Sequence, residues 1–226
     1  MAWPWYRYPD LAELVDNYAR NHEVTVLGAG VNPGFVFDAL PAVLSVTLTR
    51  LDKITVTRSL DASKRRYSFQ KKIGLGMTPT QFTEALGRGG EITAHVGFAE
   101  SVLLLASIIG LRLDRVEEGQ EALIAERSYE TQYFKVEPGQ VKGVVGHGSG
   151  FINGREVIRV ELRACVGCED FEEVRLEGEP SITWRSTGTP GDPATAAVIV
   201  NLIPRVLNAR PGLITLKDLV NYSYTA

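Results

Sequence analysis

The sequence predicts an α/β protein in which the end of a doubly wound unit is followed by a mixed, largely antiparallel sheet domain with helices packed on one face. The chain opens with a helical pattern over 9–21 and a strand over 24–27, an order typical of how an α/β sheet ends. A nearly all-apolar segment at 98–109 indicates a buried helix. From residue 116 the pattern changes to closely spaced strands separated by turn residues, which indicates an antiparallel sheet.

A glycine-spaced turn, G-A-G-V-N-P-G-F at 28–35, follows the first strand. It fits the dinucleotide fingerprint G-x-G-x-x-G imperfectly, because Pro33 stands at the third glycine position. The acidic residue expected about 20 residues further on is also missing, since Asp52 precedes the next strand and Asp61 lies too far along. A ligand-facing turn of another kind and a purely structural turn are the other interpretations. Proline suits a first helical position and keeps the residue before it extended, so we expect a helix to begin at Pro33 with Asn32 at the junction. The buried helical pattern then runs over 35–48, and we expect Pro41 to kink it.

The next strand, over 54–60, directs one charged residue toward the core. Ile54, Val56 and Arg58 share a face by the period of two. An inward guanidinium at the end of the strand needs an anionic partner. The alternative is that the strand ends earlier and Arg58 is solvated. The basic run at 64–72, with its interleaved aromatic residues, is interpreted as partly a solvated face and partly an anion site.

In the second half, Glu100 is expected at the exposed first turn of the apolar helix. The glycine-rich segment 146–150 and the pair Asn153–Gly154 are both interpreted as turns, the second suited to a hairpin. A last helix is expected over 193–207, with Asp192 as its N-cap. The predicted strands are 121–125, 140–147, 156–165, 172–177 and 181–185.

Composition excludes several classes of function. A net charge of −3 over 226 residues argues against general nucleic-acid binding, and no apolar run reaches transmembrane length. The N-terminus lacks the features of a signal peptide. We therefore expect a soluble cytoplasmic protein with no nucleic-acid or membrane partner. Cys165 and Cys168 are interpreted as two incidental thiols in a turn, and no metal is expected because zinc would need two more ligands.

Several short motifs occur along the chain in an order that is specific when they are taken together. They are G-x-G-V-N-P-G-F at 28–35, Arg58 with Asp61–Ala62 and Arg65–Arg66, Q-K-K-I-G at 70–74, Gly191–Asp192 with Ala194–Thr195–Ala196, Asn201, Ile203–Pro204–Arg205 and Pro211–Gly212–Leu213. In this combination the chain resembles the 2,4-diaminopentanoate dehydrogenases and related amine dehydrogenases, within the wider dihydrodipicolinate-reductase-like group. The resemblance covers nearly the whole chain.

The resemblance implies an oxidoreductase that deaminates an amino acid or small amine reversibly with NAD or NADP. It also implies three regions: 1–34 as the C-terminal remnant of a Rossmann-like dinucleotide-binding domain, 35–190 as a substrate-binding and dimerisation domain, and 191–226 as a helix and tail returning to the domain junction. Most of the coenzyme domain and the expected catalytic glutamate are absent from this sequence. We therefore expect this chain alone to be inactive, to bind coenzyme weakly, and to form a homodimer or higher homo-oligomer.

The resemblance also implies site residues, although it identifies no catalytic residue in this chain. Asn32, Pro33 and Gly34 would border the nicotinamide. Asn32, Phe37, Arg58 and His95 would bind the substrate, with Arg58 on its carboxylate or another polar end. A core aromatic role for Phe37 and a structural role for His95 are the alternatives.

Other functions remain open at this point. One is a non-catalytic binding or regulatory module that has lost the coenzyme domain. Another is a dihydrodipicolinate-reductase-like reductase of a different substrate. A third interpretation is that the native protein is longer, with a reading frame that starts upstream of Met1.

Overall fold

The structure is a computed structural model that describes residues 2–87 and 96–226. Single turns of 3₁₀ helix cover Pro4–Tyr6, Ala62–Lys64 and Leu216–Asp218. No helix within the described ranges is long and apolar enough to cross a membrane. The α-helices are α1 (Pro9–Asn21), α2 (Ala39–Ser45), α3 (Tyr67–Lys72), α4 (Pro79–Gly87), α5 (Phe98–Ile109) and α6 (Gly191–Leu207). The strands are β1 (Thr25–Leu27), β2 (Arg50–Asp61), β3 (Arg115–Ile124), β4 (Tyr129–Glu130), β5 (Lys135–Val136), β6 (Val141–Ile152), β7 (Arg155–Cys165), β8 (Phe171–Glu179), β9 (Ile182–Ser186) and β10 (Gly212–Ile214).

The centre of the fold is a six-stranded sheet in the order β3-β6-β7-β2-β8-β9. Strand β2 runs parallel to β7, and the other neighbouring pairs in this sheet are antiparallel. The expectation of a mixed, largely antiparallel sheet is therefore confirmed. In the middle of the sheet, Arg58 of β2 lies beside Leu162 of β7 on one side and Glu172 of β8 on the other.

Helix α5 covers the inner face of this sheet, and side chains of the helix and the sheet together form the hydrophobic core. Phe98 and Val102 are almost fully buried there. Two glycines of β6 allow the helix to approach closely, because a Cβ on Gly148 would lie 2.9 Å from the Cβ of Phe98 and a Cβ on Gly150 would lie 2.8 Å from Cγ1 of Val102. The prediction of a turn at 146–150 is therefore wrong, since this segment lies inside β6 and its glycines make room for α5.

The strand β2 directs its side chains as its sequence predicts. Ile54 and Val56 have no exposed surface, and Arg58 is 7% exposed on the same face. The alternating neighbours Thr55 and Thr57 are only half-buried. The inward direction of Arg58 is thus confirmed, and the strand continues beyond it to Asp61.

The beginning and the end of the chain meet in a second, small sheet. Strand β1 pairs in parallel with β10, so that Thr25 lies beside Gly212. Helix α1 packs on the same strand, and Oδ1 of Asp16 accepts a hydrogen bond from the backbone N–H of Leu213 at 2.7 Å. These contacts hold residues near both ends of the sequence together.

The segment after the glycine turn differs from the prediction of a helix beginning at Pro33. The Asn32–Pro33 peptide is cis, residues 32–38 form turns, and α2 begins at Ala39. Gly34 has φ +131°, outside the helical region, so no helix passes through it. Asp38 instead caps α2. Pro41 falls within the first turn of this helix, where a backbone N–H has no helical partner, so the proline removes no hydrogen bond from α2.

Three further details correct or complete the sequence interpretation. Glu100 lies in the first turn of α5 but is 5% exposed rather than solvated, and it accepts a hydrogen bond from the backbone N–H of Trp3 at 3.3 Å. Asn153–Gly154 forms the predicted hairpin turn between β6 and β7, with both residues at positive φ. Helix α6 begins one residue before Asp192, which therefore lies in its first turn rather than at its N-cap.

The two cysteines are not incidental thiols. Cys165 and Cys168 form a disulfide that closes the turn after β7. The backbone N–H of Gly167 in this turn donates to Oδ1 of Asp61 at 3.3 Å, which connects the turn to the end of β2. The described residues contain no group of three potential metal ligands.

Candidate functional site

A cavity of about 240 Å³ opens at the end of β2. The end of β2, the 3₁₀ turn after it, Asp170 and the loop before α6 form its walls. Its lining is polar and charged. The residues that line it are Arg58, Ser59, Leu60, Asp61, Lys64, Arg65, Asp170, Thr187, Gly188, Thr189 and Pro190.

The guanidinium of Arg58 lies at the base of this cavity. Its Nε is 3.3 Å from Oε1 of Glu172, and its Nη2 donates to the carbonyl oxygen of Thr189 at 2.6 Å. Burial lowers the pKa of Arg58, and the charge of Glu172 opposes that shift. The inward-facing arginine therefore has the anionic partner that its burial requires, and the protein itself supplies it.

Glu172 is 1% exposed, and its oxygens accept several hydrogen bonds. The N–H of Thr189 donates to Oε1 at 3.1 Å, and the Thr189 hydroxyl donates to Oε2 at 2.6 Å. The hydroxyl of Ser186 donates to Oε2 at 3.0 Å. Glu172 is not among the site residues predicted from the sequence. Its signal was the alternation of Glu172 with Val174 and Leu176 on the inward face of a predicted strand.

Asn32 and Arg58, both predicted as site residues, are in contact. The Asn32 amide is assigned from its hydrogen-bond network, with its oxygen accepting from Nη1 of Arg58 at 3.0 Å and its nitrogen donating to the carbonyl of Val31 at 2.6 Å. The amide therefore joins the glycine turn to the base of the cavity. It does not cap a helix, since α2 begins seven residues later at Ala39.

The neighbouring turn is held by a buried carboxylate, Asp38, which has no exposed surface. Its Oδ2 accepts from the N–H of Gly34 at 2.9 Å and from the hydroxyl of Ser101 at 3.1 Å, and its Oδ1 accepts from the N–H of Ala39 at 2.8 Å. Burial raises the pKa of Asp38 to about 6, although the three hydrogen bonds favour the charged form. The sequence analysis also missed this residue, whose signal was an N-cap type just before an apolar helical pattern.

The remaining predicted residues lie elsewhere. Phe37 is fully buried in the turn before α2, and its ring centroid is 6.1 Å from that of Phe98. Pro33 packs near Gly97, where an added Cβ would lie 3.0 Å from Cγ of the proline. His95 lies outside the described residues. The structure thus brings Asn32 to Arg58, while Phe37 packs against α5.

Two further cations reach the cavity wall. Nζ of Lys64 is 2.8 Å from Oδ2 of Asp170. The guanidinium of Arg65 lies over the ring of Phe69, 5.1 Å from its centroid. Oδ1 of Asp192 is 3.7 Å from Nη2 of Arg65, which exceeds hydrogen-bond distance.

With the geometry established, similarity to known proteins identifies the family. Residues 35–223 match the family model of the 2,4-diaminopentanoate dehydrogenase C-terminal domain. The chain belongs to this family. The resemblance that the motifs carry is therefore confirmed.

Individual relatives are longer than this chain. The curated 2,4-diaminopentanoate dehydrogenase of Acetoanaerobium sticklandii is 30% identical over an alignment 226 positions long, which covers 97% of this chain and 64% of that protein. The solved amine dehydrogenase from Mycobacterium smegmatis has a TM-score of 0.81 and 24% identity, over 99% of this chain and 67% of that one. The second likeness shows the fold. The chain thus spans about two thirds of the length of the curated relative.

Residues from several of the family motifs meet at the cavity. Arg58, Asp61 and Arg65 line it. Gly191, at the start of α6, lies against Arg65, since a Cβ added to it would be 3.0 Å from Nη2. Residues separated by more than a hundred positions therefore meet at one place, which makes the cavity the candidate functional site.

Proposed function

We propose that this chain is the substrate-binding portion of an NAD(P)-dependent dehydrogenase that deaminates a small amino acid or amine. The observation that carries the proposal is the polar cavity beside Arg58, where residues from several motifs of a dehydrogenase family meet. Its volume of about 240 Å³ suits a molecule of amino-acid size, and its charged lining suits a polar one.

The glycine turn does not fit the pyrophosphate of a dinucleotide. Gly34 faces the backbone of Gly30, because a Cβ added to it would lie 2.5 Å from the Gly30 nitrogen. The amide of Asn32 is engaged by Arg58 and Val31. In the described residues β1 belongs to a two-stranded sheet with β10 rather than to a doubly wound nucleotide fold. We therefore infer that a separate dinucleotide-binding domain holds the nicotinamide coenzyme.

An exposed apolar face indicates where such a domain docks. Helix α6 has no buried residue along its length of 17 residues. Val200, Ile203 and Leu207 are 61%, 50% and 78% exposed. On α1, Leu14 and Tyr18 are similarly exposed. A row of exposed apolar side chains along one helix marks an interaction surface, and about a third of the curated relative lies outside the matched region. We assign the exposed side of α6 to the docking of the dinucleotide-binding domain.

We also propose that the outer face of the six-stranded sheet pairs with a second copy of the chain. This face, opposite α5, carries half-buried and exposed ions of both signs. The carboxylate oxygens of Glu161 lie 3.2 Å from Nη2 of Arg159 and 3.0 Å from Nη2 of Arg163. Oε1 of Glu156 lies 2.6 Å from Nζ of Lys53. Intermixed charges of this kind are self-complementary across a two-fold axis.

Calorimetric titration of the chain, alone and fused to the N-terminal third of the Acetoanaerobium sticklandii enzyme, tests the proposed function. The chain alone should bind 2,4-diaminopentanoate, and it should show no binding of NADH at NADH concentrations of about 1 mM. The fusion should reduce NAD⁺ or NADP⁺ when an amino acid or amine is supplied. Micromolar binding of NADH to the chain alone would contradict the separate coenzyme domain. A fusion that binds the amino acid without turnover would instead favour a non-catalytic binding module.

A further inference from the structure

The charge of Arg58 is already compensated within the protein. A guanidinium has five N–H donors, and those of Arg58 reach Glu172, the carbonyl of Thr189 and the amide of Asn32. Glu172 is itself buried, so its charge is not screened by solvent. A ligand in the cavity therefore meets a buried ion pair at this position rather than a free cation.

Arg65, on the same cavity, is in the opposite situation. Its side chain is 27% exposed, and among the described residues no acceptor lies within hydrogen-bond distance of its guanidinium. The nearest carboxylate, that of Asp192, is 64% exposed and is also 3.3 Å from Nη1 of Arg66. Both guanidinium groups face the same cavity, and the charge of Arg65 adds to the effect of burial in lowering the pKa of Arg58.

Although the guanidinium of Arg65 has, among the described residues, only the 3.7 Å ion pair with Asp192, its backbone is held firmly by a buried glutamine. Gln70 has no exposed surface, and its Nε2 donates to the carbonyl of Arg65 at 2.7 Å and to that of Ser63 at 3.2 Å. Its Oε1 accepts from the hydroxyl of Thr131 at 2.8 Å. Stacking on Phe69 further restricts the guanidinium. The side chain is thus oriented in advance of ligand binding.

Lys64 does not offer the same capacity. Its Nζ is engaged by Asp170 at 2.8 Å, and Asp170 in turn accepts from the N–H of Asp61 at 2.8 Å. Among the three cations that line the cavity, Arg65 therefore has the most unused hydrogen-bonding capacity.

We propose that Arg65 binds the carboxylate of an amino-acid substrate, while Arg58 positions Asn32 and the loop before α6. This inference rests on the proposed function and deepens it, because it makes the carboxylate the feature that distinguishes preferred substrates from simple amines. A guanidinium binds a carboxylate through two parallel N–H···O hydrogen bonds, which neither lysine nor glutamine reproduces.

Two ligands that differ only by the carboxylate test the proposal. Binding of 2,4-diaminopentanoate and of 2,4-diaminopentane to this chain is measured by calorimetry at pH 7 for the unaltered chain and for Arg65→Gln, with Arg65→Lys as the conservative variant. Arg66→Gln is the matched control, because Arg66 is an exposed neighbour that also lies near Asp192. Arg65→Gln should weaken binding of the amino acid about tenfold or more and leave binding of the diamine within about twofold. Arg65→Lys should restore only part of the loss, and Arg66→Gln should change neither affinity.

The outcomes separate the two levels of inference. If the unaltered chain binds both ligands and Arg65→Gln binds them equally well, or loses both alike, the assignment of Arg65 is overturned and the proposed function stands. An unaltered chain that binds neither ligand overturns the proposed function together with this subsite. Circular dichroism of each variant establishes that a lost affinity does not come from a lost fold.

Discussion

Asp38 should make the stability of the chain depend on pH in a way that one substitution removes. Its carboxyl has no exposed surface, and burial raises its pKa from 3.8 to about 6. A raised pKa means that the folded state prefers the protonated acid, so this group favours folding most below the unfolded pKa of 3.8. Its contribution falls as the pH rises and levels off above about 6. A pKa shift of this size corresponds to a change of roughly 3 kcal/mol in the unfolding free energy between the low-pH and high-pH limits.

The substitution Asp38→Asn isolates this effect, because asparagine has nearly the shape of the protonated acid and cannot ionise. We expect the unfolding free energy of the variant, minus that of the unaltered chain, to increase by roughly 2 kcal/mol as the pH rises from 4 to 7. Ser101→Ala should enlarge the pH dependence, since it removes a hydrogen bond that stabilises the charged carboxylate.

Urea unfolding at several pH values, followed by circular dichroism, gives the two free energies, and their difference cancels the titration of the other carboxylates. A difference that stays constant within about 0.5 kcal/mol from pH 4 to pH 7 would refute the raised pKa that burial gives this carboxyl. Carbon-13 NMR of the Asp38 carboxyl provides an independent measurement of the same pKa.

Four further predictions concern the ion pair, the glycine turn, the exposed face of α6 and the pairing of two copies through the sheet. Glu172→Ala should lower the unfolding free energy by about 3–5 kcal/mol, because it leaves the buried charge of Arg58 without its partner, whereas Glu172→Ala combined with Arg58→Met should recover much of the loss in urea unfolding. In the fused enzyme, Asn32→Ser should leave the melting temperature near native and lower kcat/KM roughly tenfold, and full activity would exclude a role for the amide at the site. Ile203→Ser with Leu207→Ser should leave the stability of this chain within about 0.5 kcal/mol but weaken its binding to a separately produced coenzyme domain, and unchanged binding would show that α6 is not the docking face. Light scattering at tens of micromolar should give twice the mass of the chain, and a monomer would argue against pairing through the sheet.

The features that the sequence predicts correctly are those decided by neighbouring residues. The inward direction of Arg58 follows from the alternation along β2, and alternation needs no knowledge of the rest of the fold. The hairpin at Asn153–Gly154 is equally local, because both residues tolerate the positive φ that the turn requires. Family membership follows from several short motifs in a fixed order, which can be recognised without knowing how they are arranged in space.

The features that the sequence analysis missed depend on distant contacts. Gly148 and Gly150 resemble a turn in sequence, and only the approach of α5 explains why glycine is needed inside a strand. The start of α2 is set by Gly34 and Asp38, whose carboxylate reaches both the turn and Ser101 on another helix. The preference of proline for a first helical position, which is local, could not reveal that these distant contacts move the start of the helix from Pro33 to Ala39.

The two arginines of the cavity show why a charged residue on an inward-facing strand is not necessarily the one that binds a ligand. Burial of a guanidinium is tolerated only with a buried counter-charge. The same burial that directs Arg58 into the fold therefore also brings Glu172 against it and neutralises its charge. Arg65 needs no such partner, because 27% of its side chain remains exposed. The charge that stays available to an anion is thus the one that retains its solvation, and this places the carboxylate contact at the rim of the cavity rather than at its base.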